Sequence, residues 1–141
     1  MTEAEFRAFL DDISACFTRF DFALWRSRIL LPFSLVTRDG PVLLPDEAAL
    51  ARNFELYLES ERILCVDEVY RRPISLEDCR DGTWIGTYET ELLCRGQRVT
   101  PPYISSALIH TTPEGWRMSS ILNALGHHSW TGTHPTREGK T

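Results

Sequence analysis

The stretch Gly86-Thr-Tyr-Glu-Thr-Glu-Leu-Leu-Cys-Arg95 decides how the rest of the chain is read. Its side chains alternate, so a strand here puts Tyr88, Thr90 and Leu92 on one face and Thr87, Glu89, Glu91 and Leu93 on the other. If Gly96-Gln97 is a two-residue turn, the following run "RVTPPYISSALIH" is the second strand of a hairpin. Arg95 then pairs with Arg98, and every later pair keeps the same sum of residue numbers. One face holds Trp84 with Ile109, Gly86 with Ala107, Tyr88 with Ser105, Thr90 with Tyr103 and Leu92 with Pro101. The other holds Ile85 with Leu108, Thr87 with Ser106, Glu89 with Ile104 and Glu91 with Pro102.

A second hairpin through "TPEG" pairs Thr111 with Trp116 and extends the first face to Met118, Ser120 and Leu122. The two hairpins agree, so this face is assigned to the interior. A three-residue turn at Arg80-Asp81-Gly82 adds Tyr70, Ile74 and Leu76 to it and sets Arg71 opposite Glu91 outside, whereas a two-residue turn reverses all of these. The inner face is aromatic but studded with hydroxyls. Buried Tyr and Ser need hydrogen-bond partners, which a closed core supplies from its own groups and a cavity supplies from water or a ligand. Apolar walls with a few convergent polar groups are the usual composition of a small-molecule site. The outer face mixes Ile85, Leu93, Ile104, Leu108 and Ile121 with Glu89, Glu91, Arg117 and Ser119. It reads as a homodimer interface or as a mixed sheet surface.

Upstream the period changes. In "TEAEFRAFLDDISACFTRF" the residues Phe6, Phe9, Leu10, Ile13, Cys16, Phe17 and Phe20 share one helical face, and Thr2 with Glu5 forms a capping box. Asp21 to Arg28 fits a second, short helix carrying Trp25. The runs "LPFSLVT" and "VLL" flank "RDGP", a hairpin signal, and "PDEAALARNFELYLES" places Leu50, Phe54, Tyr57 and Leu58 on one helical face. From Arg62 onward the pattern is β, in four runs separated by turn residues. Neither an internal repeat nor a linker appears. One domain over residues 1–125 is expected, followed by an irregular tail at 126–141.

Composition removes several classes of function. Acidic residues outnumber basic ones by 20 to 15, and no cluster of cations supplies a nucleic-acid face. The N-terminal "MTEAEF" lacks the basic flank and apolar run of a signal peptide, and no apolar stretch approaches membrane length, so a cytoplasmic chain with no membrane partner is expected. Cys16, Cys65, Cys79 and Cys94 are scattered and read as small buried hydrophobes. His127, His128 and His134 in the tail do not fix a tetrahedral site, so neither metal nor cofactor is expected.

Helix, short helix, hairpin, helix and a long antiparallel meander resemble the nuclear transport factor 2-like superfamily, which includes the SnoaL-like polyketide cyclases and ketosteroid isomerase. The likeness lies in "LPFSLVT", "GTYETELL", "RVTPPYISSALIH" and "EGWRMSSILNAL", the last similar to the superfamily's usual final strand. It implies an α+β cystatin-like cone, with N-terminal helices packed in a strongly curved antiparallel sheet of about six strands. A pocket opens at one end, and homodimers often form through the sheet. Pro101-Pro102 reads as a bulge or bend in that sheet. The superfamily spans dehydratases, isomerases, epoxide hydrolases, cyclases, ligand-binding subunits and assembly modules, so the fold selects none of them.

Isomerase and cyclase chemistry needs an inward carboxylate or an Asp/His pair. Glu89, Glu91 and His110 all fall on the outer face, so that pattern is not recovered. The leading expectation is a pocket for a small, mostly apolar molecule, with Trp25, Phe54, Trp84 and Trp116 as walls and Tyr88, Tyr103 and Ser105 as orienting groups. An isomerase, dehydratase or cyclase in the same pocket would use Asp21 as base and Tyr88 or Tyr103 as oxyanion donor, although Asp21 is more simply the N-cap of the short helix. A third alternative is a homodimeric assembly module with a vestigial cavity.

Overall fold

Thr2 opens the first helix, α1 (Glu3–Thr18), through both bonds of a capping box: its N–H donates to Glu5 Oε1 at 2.7 Å, and the Glu5 N–H donates to Thr2 Oγ1 at 3.1 Å. The face read from the sequence is the buried one for Phe6, Phe9, Leu10, Ile13, Cys16 and Phe17, all in the core, but Phe20, expected on it, lies past the end of α1 at positive φ and is 70% exposed. Asp21 caps α2 (Phe22–Ser27). A hairpin of β1 (Ile29–Thr37) and β2 (Gly40–Leu44) leads to α3 (Glu47–Leu64), which Asp46 caps. The meander follows as β3 (Glu68–Asp78), β4 (Thr83–Cys94), the two-residue β5 (Gln97–Arg98), β6 (Tyr103–Thr112) and β7 (Gly115–Asn123). The structure, a computed structural model, describes residues 1–37 and 39–123, without the side chain of Asn123. The expected tail at 126–141, with His127, His128, His134 and Trp130, lies outside the described residues.

The strands form one curved, open sheet in the order β2-β1-β7-β6-β4-β3, with β5 pairing beside β4, and the helices pack on its inner face. This is the expected α+β cone with two corrections. There are seven strands, and the sheet is mixed, because β7 returns beside β1 and runs parallel to it. Hairpin arithmetic sees only neighbours in sequence and is blind to this long-range pairing. The third helix also runs farther than the sequence reading: Arg62, Ile63 and Leu64 end α3 instead of starting a strand. Good helix formers carry the helix onward until Cys65 takes a left-handed conformation (φ 59°) and the Val66 N–H closes on the Glu61 carbonyl at 2.9 Å.

The central register is as read: Trp84 pairs with Ile109, Gly86 with Ala107, Tyr88 with Ser105 and Thr90 with Tyr103. The turn that sets it is different. Cys94 pairs with Gln97, so Arg95-Gly96 forms the turn, both at positive φ. That changes the sum of paired numbers by two, and the chain restores it between β5 and β6, where Thr100-Pro101-Pro102 leaves the ladder. An even shift keeps every side chain on its face, which is why the inside–outside assignment survives while the predicted Leu92–Pro101 pair does not form.

Two bulges do change faces. In β7, Met118 pairs with Ile109 but Ser120 pairs with Leu108, so Ser119 is an extra residue. Beyond it Ile121 turns inward and is buried, while Leu122, expected inside, is 45% exposed. In β3, Pro73 pairs with Tyr88 and Ser75 with Thr87, so Ile74 is extra. Tyr70 and Ile74, expected inside, are 54% and 46% exposed, and Arg71, expected opposite Glu91, stands opposite Thr90 on the inner face.

Gly86 marks where α1 lies closest to the sheet. A Cβ there would sit 2.5 Å from the ring of Phe6, whose side chain is wholly buried, so only glycine lets the helix approach.

Candidate functional site

The wide end of the aromatic core does not close. Phe17 meets the rings of Trp25, Phe54 and Tyr57 at centroid distances of 5.0, 5.1 and 5.4 Å, and beyond this cluster lies a cavity of about 40 Å³. Its apolar walls are Ile13 and Phe17 from α1, Trp25 from α2, Leu92 from β4 and Ile121 from β7. Its polar groups are Tyr57 and Glu61 from α3, Arg71 from β3, Tyr88 and Thr90 from β4, and Tyr103 and Ser105 from β6. The two bulges build part of this lining, since regular strands would turn Ile121 and Arg71 away from it.

Arg71 is the cation of the cavity. Its Nη1 donates to Ser14 Oγ at 3.0 Å, and the guanidinium carbon lies 5.8 Å from the centroid of the Phe17 ring, a cation–π arrangement. Burial raises the Tyr88 hydroxyl above the ordinary phenol range, opposed by the Arg71 charge and by interactions with Ser105 and Arg71. Burial likewise pushes the Tyr103 hydroxyl well up, again opposed by Arg71. Both phenols therefore remain protonated donors at neutral pH. Glu61 is only 8% exposed, and burial pushes its carboxyl up to about 8, with the Arg71 charge opposing. It makes no hydrogen bond or ion pair with any described residue, so a carboxylic acid that keeps its proton near neutrality faces the same space as a guanidinium.

Among the described residues, six buried side-chain polar atoms lack a hydrogen bond, and three belong to this lining: Trp25 Nε1, Arg71 Nε and Thr90 Oγ1. The Tyr103 hydroxyl approaches Thr90 without completing a bond of normal geometry to its oxygen. Two of the three atoms can only donate. Thus the unmet hydrogen-bonding capacity here calls for an acceptor.

Of the residues singled out from the sequence, Trp25, Tyr88, Tyr103 and Ser105 meet at the cavity. Phe54 stands behind it, buried against Phe17 and Trp25. Trp84 lies in a separate hollow with Met1, Phe6 and Leu76, and Trp116 packs half-buried on the core, so neither is a wall of this space. Asp21 is not in the lining either: its Oδ1 accepts from the Leu24 N–H at 3.0 Å and caps α2. Glu89 and Glu91 point outward and pair with Arg72 and Arg98. Among the described residues, no group of three His, Cys, Asp or Glu side chains could hold a metal ion.

Sequence reasoning missed Glu61 and Arg71. Glu61 had a signal, for Leu50, Phe54, Tyr57 and Glu61 continue one helical stripe at steps of four, three and four, and a carboxyl group in an apolar stripe is exceptional. Arg71 had a weaker one: Pro73, inside the strand and next to the Ile74 bulge that turns Arg71 inward, is a residue that sheets tolerate at edges or bulges.

No family model matches the sequence, and no curated protein matches it. Solved structures do match in shape. A domain of unknown function with a cystatin-like fold from Nostoc punctiforme superposes with a TM-score of 0.66 over 99% of this chain and 83% of its own, at 12% identity. A nuclear transport factor 2-like protein of unknown function from Shewanella oneidensis gives 0.67 over 86% of this chain and 98% of its own, at 10% identity. The chain has the nuclear transport factor 2-like fold. A candidate dehydratase of the nuclear transport factor 2-like family, from Streptomyces avermitilis, shares the fold at 16% identity and a TM-score of 0.61, covering 82% of this chain and 88% of its own. Within this nuclear transport factor 2-like cone, the cavity occupies the space between α1, α3 and the inner face of the sheet. Among the described residues, no helix is long and apolar enough to cross a membrane.

Proposed function

We propose that this chain binds a small, largely apolar molecule whose polar end is a hydrogen-bond acceptor, a carboxylate or carbonyl, held in the cavity by Arg71. The observation that carries this reading is the concentration of unpaired buried polar atoms, Trp25 Nε1, Arg71 Nε and Thr90 Oγ1, in residues lining one space. Leaving such groups unpaired costs about 1–3 kcal/mol each. A water needs roughly 10–15 Å³ of such space, so about 40 Å³ accommodates a group of roughly three heavy atoms, the size of a carboxylate. Ile13, Phe17, Leu92 and Ile121 form the apolar walls around that polar end.

A thermal-shift screen with aromatic acids, cyclic ketones and short polyketides, run on the native chain and on Arg71→Met and Tyr88→Phe, tests the reading. A ligand that binds only the folded state raises the unfolding midpoint by mass action. Hits weakened in both variants support the cavity; hits indifferent to both place binding elsewhere.

A second reading, proton-transfer catalysis, is favoured by Glu61. A carboxyl group that holds its proton near pH 7 beside phenolic donors is the arrangement of a general acid facing an oxyanion site. On this reading Glu61 is a proton donor, a different role from the base expected at Asp21. Turnover of a cavity ligand that vanishes in Glu61→Gln while affinity persists would support it, and turnover unchanged in that variant would remove it. We also propose a homodimer through the outer sheet face, where Tyr70, Ile85 and Leu122 are exposed.

A further inference from the structure

Two hollows meet at Phe17 and Glu61. One is the inner cavity; the other is a groove of about 340 Å³ on the outside of the molecule, between the end of α1 and the end of α3. Phe17 and Glu61 line both, so the partition is one ring and one side chain thick. The ring is fixed by its contacts with Trp25, Phe54 and Tyr57 and by the guanidinium over it. Glu61, with no hydrogen bond or ion pair to a described residue, is the part of the partition that can swing aside on rotation of its own torsions.

The groove itself is apolar along Leu58 and Val66, and Phe20 also lines it. Phe20 is an unusual residue: a phenylalanine 70% exposed, held at φ 55° in the turn between α1 and α2. A β-unbranched aromatic at positive φ is uncommon, and an exposed large ring beside an apolar groove marks a surface that gains by being covered. Among the described residues, the ionisable groups in the groove lining are Glu61, Arg62 and Asp67, whereas the Arg71 guanidinium lies on the inner side.

We propose that cavity and groove are two halves of one site, and that it takes an amphipathic monocarboxylic acid, with its carboxylate inward on Arg71 and its hydrocarbon chain passing Glu61 to lie along Leu58, Val66 and Phe20. This rests on the proposed function above and names its ligand class. The division of chemistry follows from the geometry. The inner space has room for a carboxylate and little more, and it contains the unpaired donors; the outer space has room for a chain and presents carbon. A ligand that satisfies both must be charged at one end only.

The test is calorimetric titration of the full chain with acetate, butyrate, hexanoate, octanoate and decanoate, each below its micelle concentration, with 1-octanol as the headless control. Affinity is expected to rise about fourfold for each methylene added beyond butyrate, the increment of a buried CH₂. Octanol should bind at least about tenfold more weakly than octanoate, for lack of the charge-assisted bonds to Arg71. Phe20→Ser, at an exposed position that folding does not need, should flatten the chain-length dependence and leave butyrate affinity unchanged; Arg71→Met should abolish binding of every acid. If butyrate binds but the series is flat, the two-part site is overturned while the inner cavity stands as a site. If octanol equals octanoate, the inward carboxylate is overturned. If no acid binds, the ligand class is wrong, and the cavity reading then stands or falls on the hits of the broader screen.

Discussion

Glu61 makes the folded state sensitive to pH in a direction opposite to that of most carboxylates. Its pKa rises from 4.5 to about 8 on folding because burial penalises the charged form. The native chain therefore binds a proton that the unfolded chain has released throughout this range. Stability is fully present below pH 4.5 and is lost as pH rises toward 8, at about 1.4 kcal/mol per unit while only the unfolded state is ionised. Over the whole interval this sums to at most about 5 kcal/mol, of which about 3 kcal/mol is already lost at pH 7. Glu61→Gln keeps the shape and cannot ionise, so it should match the native chain in acid and become progressively more stable than it toward pH 8. Urea unfolding followed by tryptophan fluorescence, at half-unit steps from about pH 5 to pH 9, gives both curves, and their difference cancels the other titrating groups to first order. A difference that stays flat across this range would refute a proton on Glu61 in the native state, and with it the proposed acid.

Other perturbations separate structural from functional roles. Asp21→Ala should cost about 1 kcal/mol, the worth of an N-cap, and leave affinity for any cavity ligand unchanged in calorimetry. Gly86→Ala forces a methyl group against the buried Phe6 ring and should destabilise by about 1–3 kcal/mol in denaturant unfolding, with a compensating gain when Phe6 is shortened to Leu. Arg71→Lys keeps the charge but loses the planar fork, so carboxylate affinity should fall by about tenfold in titration, less than in Arg71→Met. Ile85→Glu, at an exposed position of the outer sheet, should shift the sedimentation coefficient from dimer to monomer with the unfolding midpoint of the monomer preserved; a chain that sediments as a monomer before mutation would remove the dimer proposal.

The parts of this fold that were legible are those fixed by local periodicity. The capping box of α1, the buried faces of α1 and α3, and the inward Tyr88, Thr90, Tyr103 and Ser105 all follow from spacings of 3.6 or 2. What failed did so at single residues. Ile74 and Ser119, one residue each, move Arg71 and Ile121 to the inner face; Pro73 beside Ile74 fits an edge strand as well as a bulge, and Ser119 has no such neighbour. The misplaced turn at Gly96 was harmless because the error was even; an odd error would have inverted the whole hairpin. The parallel seam between β1 and β7 depends on contacts distant in sequence, and no local pattern records it. Trp84 and Trp116 were assigned to the pocket on chemistry and face alone. Both stand on or beside the core away from the cavity, since position along a strand matters as much as face.

The bulge in β3 falls just beyond a pair of identical residues, Arg71-Arg72. In the observed register Arg71 meets Thr90, while Arg72 meets Glu89 and forms an ion pair with it outside. Were the bulge lost and the strand to run on in the register of its turn end, Arg72 would stand opposite Thr90 and Arg71 opposite Glu91. Either phase of the strand delivers a guanidinium to the cavity and another to an outer carboxylate. The doublet works as an error-tolerant code: the charge inside the cone is insulated from a one-residue slip in the strand that carries it, although Tyr70 and Ile74 would trade solvent for the interior. An insertion or deletion near Ile74 can therefore reshape the apolar walls while the site keeps its cation.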